Sequence, residues 1–247
     1  MDGWAERRTS FGSVAADYAA LRPGYPGDAV AFLLGDRPRR VLDLGAGTGL
    51  LTEVLLAAGH EVVAVDRAEP MLDQLRARLP QVVTATGGAE AIPLPSGDVD
   101  AVVAGQAAHW FEPVPAAAEL RRVLRPGGVI GFLWNTRDER VPWVRALGEL
   151  LAAEARDHEA DQSVVDRFAA ALPATVQTFG SGTVQQLPPE QVVAGIGTRS
   201  YVATMDDAGR SRFLDRVRAL LATHPDTAGR ARVELPYVTR AYRLTPR

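Results

Sequence analysis

The 247-residue chain contains no cysteine, which excludes disulfides, zinc–thiolate sites and a thiolate nucleophile. It also contains no lysine, so all 27 basic residues are arginine. A Walker A phosphate loop, a Schiff-base enzyme and a lysine general base are therefore excluded. No apolar stretch reaches the roughly 18 residues that a membrane span needs. We predict a cytoplasmic protein that has no membrane partner.

The charge balance excludes another class of partner. The net charge of −3 and the pI of about 5.8 give no positive field to attract nucleic acid, so we predict no nucleic-acid partner.

Two pairs have the spacing of metal ligands, His109 with Glu112 and Glu154 with His158. Neither pair has an indicated third ligand, and we therefore predict no metal site.

Short apolar runs alternate with helical patterns in the middle of the chain. The patterns predict strands at residues 41–44, 61–65, 82–86, 101–104 and 129–134, and helices at residues 50–58, 71–79 and 116–124. This alternation is typical of a parallel sheet that is covered by helices on both faces. The fold class is therefore predicted to be α/β, with a doubly wound sheet.

Helical patterns also flank this alternating region. They predict helices at residues 13–21 and 26–34 before it, and at residues 142–159 and 206–223 after it. Polar connections are predicted between the last two helices, and a closing strand at residues 233–244. We expect one domain over residues 1–247, with helical decoration after the fifth strand.

The first predicted strand runs into a glycine-rich turn, Val-Leu-Asp-Leu-Gly-Ala-Gly-Thr-Gly, over residues 41–49. Its glycines are Gly45, Gly47 and Gly49, and such a turn exposes backbone N–H groups to a ligand. A dinucleotide fingerprint needs its third glycine at position 50, which is Leu50. Asp43 at the strand end suits an ammonium group better than a pyrophosphate. The turn therefore disfavours a dinucleotide.

A second acidic residue, Asp66, ends the second predicted strand. A carboxylate at this place can accept hydrogen bonds from both hydroxyls of a ribose. The alternative is a surface aspartate that caps the following helix.

Together, the glycine turn and Asp66 resemble motif I and its acidic follower in class I S-adenosylmethionine-dependent methyltransferases. Further segments resemble other parts of these enzymes: residues 88–94 the loop beside the adenine, 98–103 the fourth strand, and 124–128 the turn into the fifth strand. Residues 11–18 with 22–26 resemble the lid of the small-molecule (type 11) subgroup, which includes trans-aconitate-like and ubiquinone-biosynthesis-like enzymes. These matches cover residues 11 to 134 in order.

The resemblance implies a seven-stranded, mostly parallel sheet and S-adenosyl-L-methionine as cofactor. It divides the chain into a helical lid at residues 1–36, a cofactor-binding core at 37–134, and a helical insertion with C-terminal strands at 135–247. The reaction implied is methyl transfer to an oxygen, nitrogen or carbon atom of a small molecule, by a monomer or homodimer. The alternatives are an NAD(P)-dependent oxidoreductase and a non-catalytic cofactor-binding subunit.

The resemblance also assigns parts of the cofactor to residues. Asp43 is expected at the ammonium, Gly45, Ala46 and Gly47 beside the methionyl part, and Asp66 at the ribose. The other expected cofactor contacts are Arg67, Ala89 and Glu90 around the adenine, Gln106 near the methionyl part, and Tyr18 and Arg22 in the lid. For Arg22, the partner is either the cofactor carboxylate or an acidic acceptor. For Glu90, the alternative is a turn cap.

Acceptor contacts are expected after the fourth and fifth strands, where a parallel sheet opens its crevice. His109 is the candidate catalytic residue, since its side chain titrates near neutral pH; the alternative is a histidine that packs with Trp110 at a helix start. Asn135 and Arg137 either contact the acceptor or tie the helical insertion to the sheet.

Overall fold

The computed structural model describes residues 21–152 and 161–247. The predicted helix at residues 13–21 therefore lies outside the described residues, except for its last residue. The helices are α1 (Gly27–Leu34), α2 (Leu50–Ala57), α3 (Glu69–Arg78), α4 (Pro113–Val123), α5 (Pro142–Ala152), α6 (Asp161–Ala171), α7 (Pro189–Gly197), α8 (Ser200–Ala203) and α9 (Asp207–Thr223). The strands are β1 (Arg40–Leu44), β2 (Glu61–Asp66), β3 (Val83–Thr86), β4 (Val99–Gly105), β5 (Leu124–Arg137), β6 (Ala174–Leu187) and β7 (Val233–Pro246).

The strands form one seven-stranded sheet in the order β3-β2-β1-β4-β5-β7-β6. Strand β1 pairs in parallel with β2, where Val41 faces Val62, and with β4, where Val41 faces Ala101. Strands β2 and β3, and strands β4 and β5, are also parallel. The strand order reverses beside β1, so the carboxyl ends of β1 and β4 frame the crevice in which ligands bind to such sheets. The predicted doubly wound α/β fold with seven strands is confirmed.

The region after β5 departs from the prediction. The predicted polar connections between the last two helices are wrong, because that region contains α6, β6 and α7. Strand β6 lies at the edge of the sheet, and none of its residues is fully buried. Its sequence is consequently rich in glycine, serine, threonine and glutamine and lacks the apolar run that marks a buried strand. The helix at α9 and the closing strand at β7 are confirmed.

The chain divides into two compact units. Among the described residues, the larger unit contains residues 24–135, 161–181 and 239–247, and the smaller contains residues 21–23, 136–152 and 182–238. The core of the larger unit is built from sheet residues such as Leu42 and Phe132 and from helix residues such as Leu120. The smaller unit has its own core, which includes Trp143 and Phe213. The predicted single-domain organisation stays a prediction.

In the described parts of the chain, no helix combines the length and the apolar character needed to cross a membrane.

Candidate functional site

The glycine turn between β1 and α2 is held open by left-handed backbone. Gly45, Gly47 and Gly49 have φ angles of 74°, 55° and 86°, which glycine adopts without a steric penalty. The amides of Gly45 and Ala46 donate to the carbonyl oxygen of Val65 at 2.8 and 3.1 Å. The turn is therefore fixed to the end of β2, and the amide of Gly49 closes it by donating to the carbonyl oxygen of Ala46 at 3.0 Å.

Two of these glycines differ in what a side chain at their position would contact. A Cβ atom on Gly45 would lie 2.5 Å from the Cβ atom of Ala107, so the turn packs against the chain after β4. A Cβ atom on Gly47 would meet no heavy atom of the described residues within 4 Å. Gly47 thus borders open space, whereas Gly45 is required by packing within the protein.

This difference predicts unequal costs for alanine substitutions. Gly59 has a φ of 84° and no heavy atom of the described residues within 4 Å of its Cβ position, so Gly59→Ala measures the backbone strain alone. We expect Gly59→Ala to lower the free energy of unfolding by about 1–2 kcal/mol. Gly45→Ala should cost about 1–3 kcal/mol more, because it also forces an overlap with Ala107. Urea denaturation measures both, and equal losses would contradict the packing role of Gly45.

Asp66 connects the glycine turn to the start of α3. Its Oδ2 accepts a hydrogen bond from the amide of Gly47 at 2.8 Å, and its Oδ1 accepts one from the amide of Ala68 at 2.8 Å. Burial raises the pKa of this carboxyl, while these two hydrogen bonds lower it. The helix-capping alternative and the ligand role are compatible, since each carboxylate oxygen can accept a second hydrogen bond.

Asp43 is a buried carboxylate with one unused oxygen. Its side chain is 1% exposed, and the hydroxyl of Thr52 donates to Oδ2 at 2.6 Å. Its Oδ1 is buried without a hydrogen-bond partner among the described residues. Burial raises the pKa of Asp43 to about 7, with the nearby charge of Asp66 adding to the rise. A buried carboxylate oxygen in this state is a site for a cationic or hydrogen-bond-donating ligand.

The next loop presents an ion pair to the same edge of the sheet. The Arg67 guanidinium forms a salt bridge with Glu90, and Glu90 also accepts from the amide of Glu112 at 2.9 Å. A Cβ atom on Gly88 would overlap the Arg67 guanidinium, so this side chain lies over the loop after β3. Ala89 is buried with 1% exposure. Glu90 therefore pairs with Arg67, a contact that a role as turn cap alone does not explain.

The carboxyl end of β4 carries an unusual backbone conformation. Gln106 has a φ of 54°, which is rare for a residue other than glycine, and its side-chain amide donates to the carbonyl oxygen of Asn135 at 2.7 Å. Asn135 in turn donates to the carbonyl oxygen of Gly24 at 3.0 Å and accepts from the hydroxyl of Thr239 at 2.6 Å. The side chain of Asn135 therefore connects the segment before α1 with strand β7, and neither partner belongs to a helix that follows β5.

The partner of Tyr25 at this end of the sheet was not predicted from the sequence. A Cβ atom on Gly105 would lie 2.5 Å from the hydroxyl oxygen of Tyr25, so Tyr25 is seated on the end of β4. The contact joins residues that are 80 positions apart, and the sequence carries no local signal for it. A strand that ends in glycine is the single available hint, because such a glycine often marks a close approach.

His109 lies in a 3₁₀ turn, Ala108–Trp110, directly after β4. The indole Nε1 of Trp134 donates to its Nδ1 at 3.3 Å, and its ring is tilted against that of Trp110 at 4.9 Å. A neutral imidazole that accepts at Nδ1 carries its proton on Nε2. This contact joins the ends of β4 and β5.

The structure places some of the predicted site residues together and others apart. Asp43, Gly45, Gly47 and Asp66 lie together at the carboxyl ends of β1 and β2, in the larger unit. Tyr18 lies outside the described residues. Arg22 belongs to the smaller unit, where other arginines lie beside it. The predicted roles of all these residues toward a cofactor stay predictions.

Known proteins resemble this chain over most of its length. The model of the family described as "Methyltransferase domain" matches residues 42–132. An uncharacterised methyltransferase of Mycobacterium tuberculosis is 48% identical over 237 residues, covering 96% of this chain and 95% of the relative. An uncharacterised methyltransferase-like protein of Schizosaccharomyces pombe is 31% identical, with 94% of each chain covered. A solved structure from Anaeromyxobacter dehalogenans, assigned to the type II methyltransferases, is 28% identical and covers 91% of this chain and 97% of its own, with a TM-score of 0.68.

Proposed function

Since the chain belongs to the class I S-adenosylmethionine-dependent methyltransferases, we propose that it transfers the methyl group of S-adenosylmethionine to an oxygen, nitrogen or carbon atom of a small molecule. The observation that best supports this proposal is the unused, buried Oδ1 of Asp43 beside the open glycine turn. Family membership and Leu50 both argue against the oxidoreductase alternative.

The residues present fit this cofactor. Its ammonium group would give the orphaned Oδ1 of Asp43 a hydrogen-bond donor of opposite charge. Gly47 leaves space beside the turn that a side chain would fill. Asp66 retains lone pairs for the ribose hydroxyls, and the Arg67–Glu90 pair would border the adenine.

S-adenosylmethionine, when bound, supplies an electrophilic methyl group on a sulfonium sulfur. The protein's own contribution is to bind, orient and exclude water, because a displacement at a methyl carbon needs the nucleophile held in line. A proton acceptor is required only where the accepting atom must lose a proton. His109, at the end of β4, is our candidate group at the acceptor.

Incubation with S-adenosylmethionine that carries a labelled methyl group tests the function. The protein is mixed with a fractionated small-molecule extract, and label is followed into new compounds. Asp66→Ala should abolish most of this transfer, whereas Asp73→Ala, at an exposed aspartate on α3, should leave it unchanged. Cofactor binding without any transfer would support the non-catalytic subunit instead.

The raised pKa of Asp43 gives a pH prediction. In the free protein this carboxyl holds a proton below about pH 7, and an ammonium group binds its ionised form. Binding of S-adenosylhomocysteine therefore releases a proton at acid pH, and affinity should rise by up to about tenfold per pH unit toward pH 7 and then level off.

Calorimetric titration between pH 5.5 and 8.5 measures this dependence. Asp43→Asn, which has no proton to release, should bind more weakly and show a flatter profile over the same range. A wild-type affinity that is constant or falls as the pH rises to 7 would rule out Asp43 as the partner of the ammonium group.

A further inference from the structure

The smaller unit holds a cluster of arginines in which two lack an acidic partner. Arg137 ends β5, Arg199 lies between α7 and α8, and Arg22 is close enough to interact electrostatically with both. Within residues 21–152 and 161–247, no carboxylate forms an ion pair with Arg137 or Arg199. The Nε atoms of both are buried without a hydrogen-bond partner in those ranges. Their charge is therefore not balanced locally by the described protein.

Some other arginines of the chain have acidic partners. Arg122, on α4, forms a salt bridge with Glu119 and donates to two backbone carbonyl oxygens. Arg40 likewise has two acidic partners, Glu61 and Asp98. Arginine is usually paired in this way when it is removed from water, because an unpaired buried charge is costly. Arg137 and Arg199 have no such acidic partner among the described residues, and they lie close enough to interact electrostatically with each other.

The surroundings of the cluster are aromatic and basic. Burial and the neighbouring guanidinium groups lower the pKa of Arg199 to about 9, so the group still carries its charge at pH 7. Tyr201 and Tyr237 lie beside it, and burial raises the pKa of Tyr237, which keeps that phenol neutral. Glu139 attracts Arg137 electrostatically, but its carboxylate lies against Gly148.

We propose that Arg137 and Arg199 form a binding site in the smaller unit for a small organic anion, whose carboxylate or phosphate group they hold. Guanidinium groups bind both of these groups through paired hydrogen bonds. No described residue forms a hydrogen bond or ion pair with the terminal nitrogens of Arg137 or Arg199. Arg22 adds positive charge beside the site. This site goes beyond the proposed function, which leaves the chemical class of every ligand except the methyl donor open.

The test compares the wild type with Arg137→Gln, Arg199→Gln and a matched control, Arg212→Gln, at an exposed arginine on α9. Succinate and inorganic phosphate are titrated calorimetrically at constant ionic strength, with dimethyl succinate as the neutral counterpart. We expect the wild type and Arg212→Gln to bind at least one anion with the same affinity. Arg137→Gln and Arg199→Gln should each lose about tenfold or more, as expected for a lost charged hydrogen bond, and dimethyl succinate should bind to none.

The melting temperature without anions is a second measurement, because a binding role and a structural role for Arg199 predict different changes in Arg199→Gln. Arg199→Gln removes an uncompensated buried charge, so its melting temperature should equal or exceed that of the wild type. An arginine that stabilises the fold through a carboxylate of its own chain would instead melt lower when replaced. Failure of the wild type to bind either anion, or equal anion affinities in the wild type and Arg199→Gln, would overturn the proposal.

Further measurements identify the source of the anionic group. Displacement of succinate by S-adenosylhomocysteine, together with a weaker S-adenosylhomocysteine affinity in Arg199→Gln, would overturn the assignment of this site to a ligand other than the methyl donor. If the anionic group belongs to a methylated compound, S-adenosylhomocysteine affinity is unchanged and Arg199→Gln loses the transfer of label to acidic compounds. Anion binding is measured without the methyl donor, so it remains testable even if no methyl transfer is found.

Discussion

Asp66→Ala is expected to weaken the binding of S-adenosylhomocysteine by about 100-fold or more, because it removes two hydrogen bonds to a charged acceptor, each contributing about 1.5–3 kcal/mol. The expectation depends on the proposed contact with the ribose hydroxyls. Calorimetric titration of the wild type and the variant measures it. Asp73→Ala, at the exposed aspartate on α3, serves as the matched control and should bind like the wild type.

The same substitution also has a structural cost that must be measured separately. The carboxylate accepts hydrogen bonds from the amides of Gly47 and Ala68, and both amides lose this acceptor in Asp66→Ala. We expect the free energy of unfolding to fall by about 1–3 kcal/mol. Titrations must therefore be made where denaturation curves show the variant to be folded. An unchanged affinity in the folded variant would remove Asp66 from the proposed ribose site.

The parts of the molecule that sequence predicted are those that local rules determine. The glycine turn requires left-handed backbone at Gly45, Gly47 and Gly49. The alternation of buried strands and helices predicts where β1 and β2 end, and therefore places Asp43 and Asp66 at the same edge of the sheet. These features depend on neighbouring residues along the chain, so they can be predicted from the sequence without knowledge of the fold. The seven-stranded sheet followed from the family resemblance, which rests on the same residues.

What sequence missed depends on contacts between distant residues. Asn135 bonds to Gly24 and to Thr239, which are 111 and 104 positions away. Gly45 was expected to give a ligand access to the turn, but the contact of its Cβ position with Ala107 shows a packing reason as well. A sequence pattern assigns one role to each residue, so it does not reveal that a residue such as Gly45 has a packing role as well as a role toward a ligand.

The arginine cluster illustrates the same limit. Arg137 was a candidate because it follows the fifth strand, but Arg199 lies at a helix end with no motif around it. Their closeness to each other, and the burial of both Nε atoms without a hydrogen-bond partner in the described structure, exist only after folding. The composition also concealed the cluster. In a chain whose 27 basic residues are all arginine, the presence of an arginine does not by itself indicate a binding site.

His109→Ala is expected to lower turnover by about 100-fold, the lower end of the range for a group that removes or directs a proton. Cofactor affinity should change by less than about threefold, since no cofactor contact is assigned to this side chain. Kinetics with an identified acceptor and calorimetric titration of S-adenosylhomocysteine measure the two effects. A turnover equal to that of the wild type would make His109 a packing residue beside Trp110.

Two further variants separate proton removal from orientation. The indole of Trp134 donates to Nδ1 of His109 at 3.3 Å, so the neutral ring carries its proton on Nε2 and neither nitrogen accepts a proton without breaking this contact. We therefore expect an orienting role, in which His109→Gln, whose amide can also donate, recovers about tenfold of the lost turnover.

Trp134→Phe removes the indole donor while retaining most of the apolar bulk of a side chain that is 3% exposed. If His109 orients the acceptor, this variant should lower turnover, because the ring is no longer held in one tautomer and position. If His109 instead removes a proton, losing the donor frees Nδ1 and turnover should rise, while His109→Gln stays as inactive as His109→Ala. The pH profile of kcat is decisive, since an essential base adds a titration on the acid side that an orienting donor at Nε2 does not require.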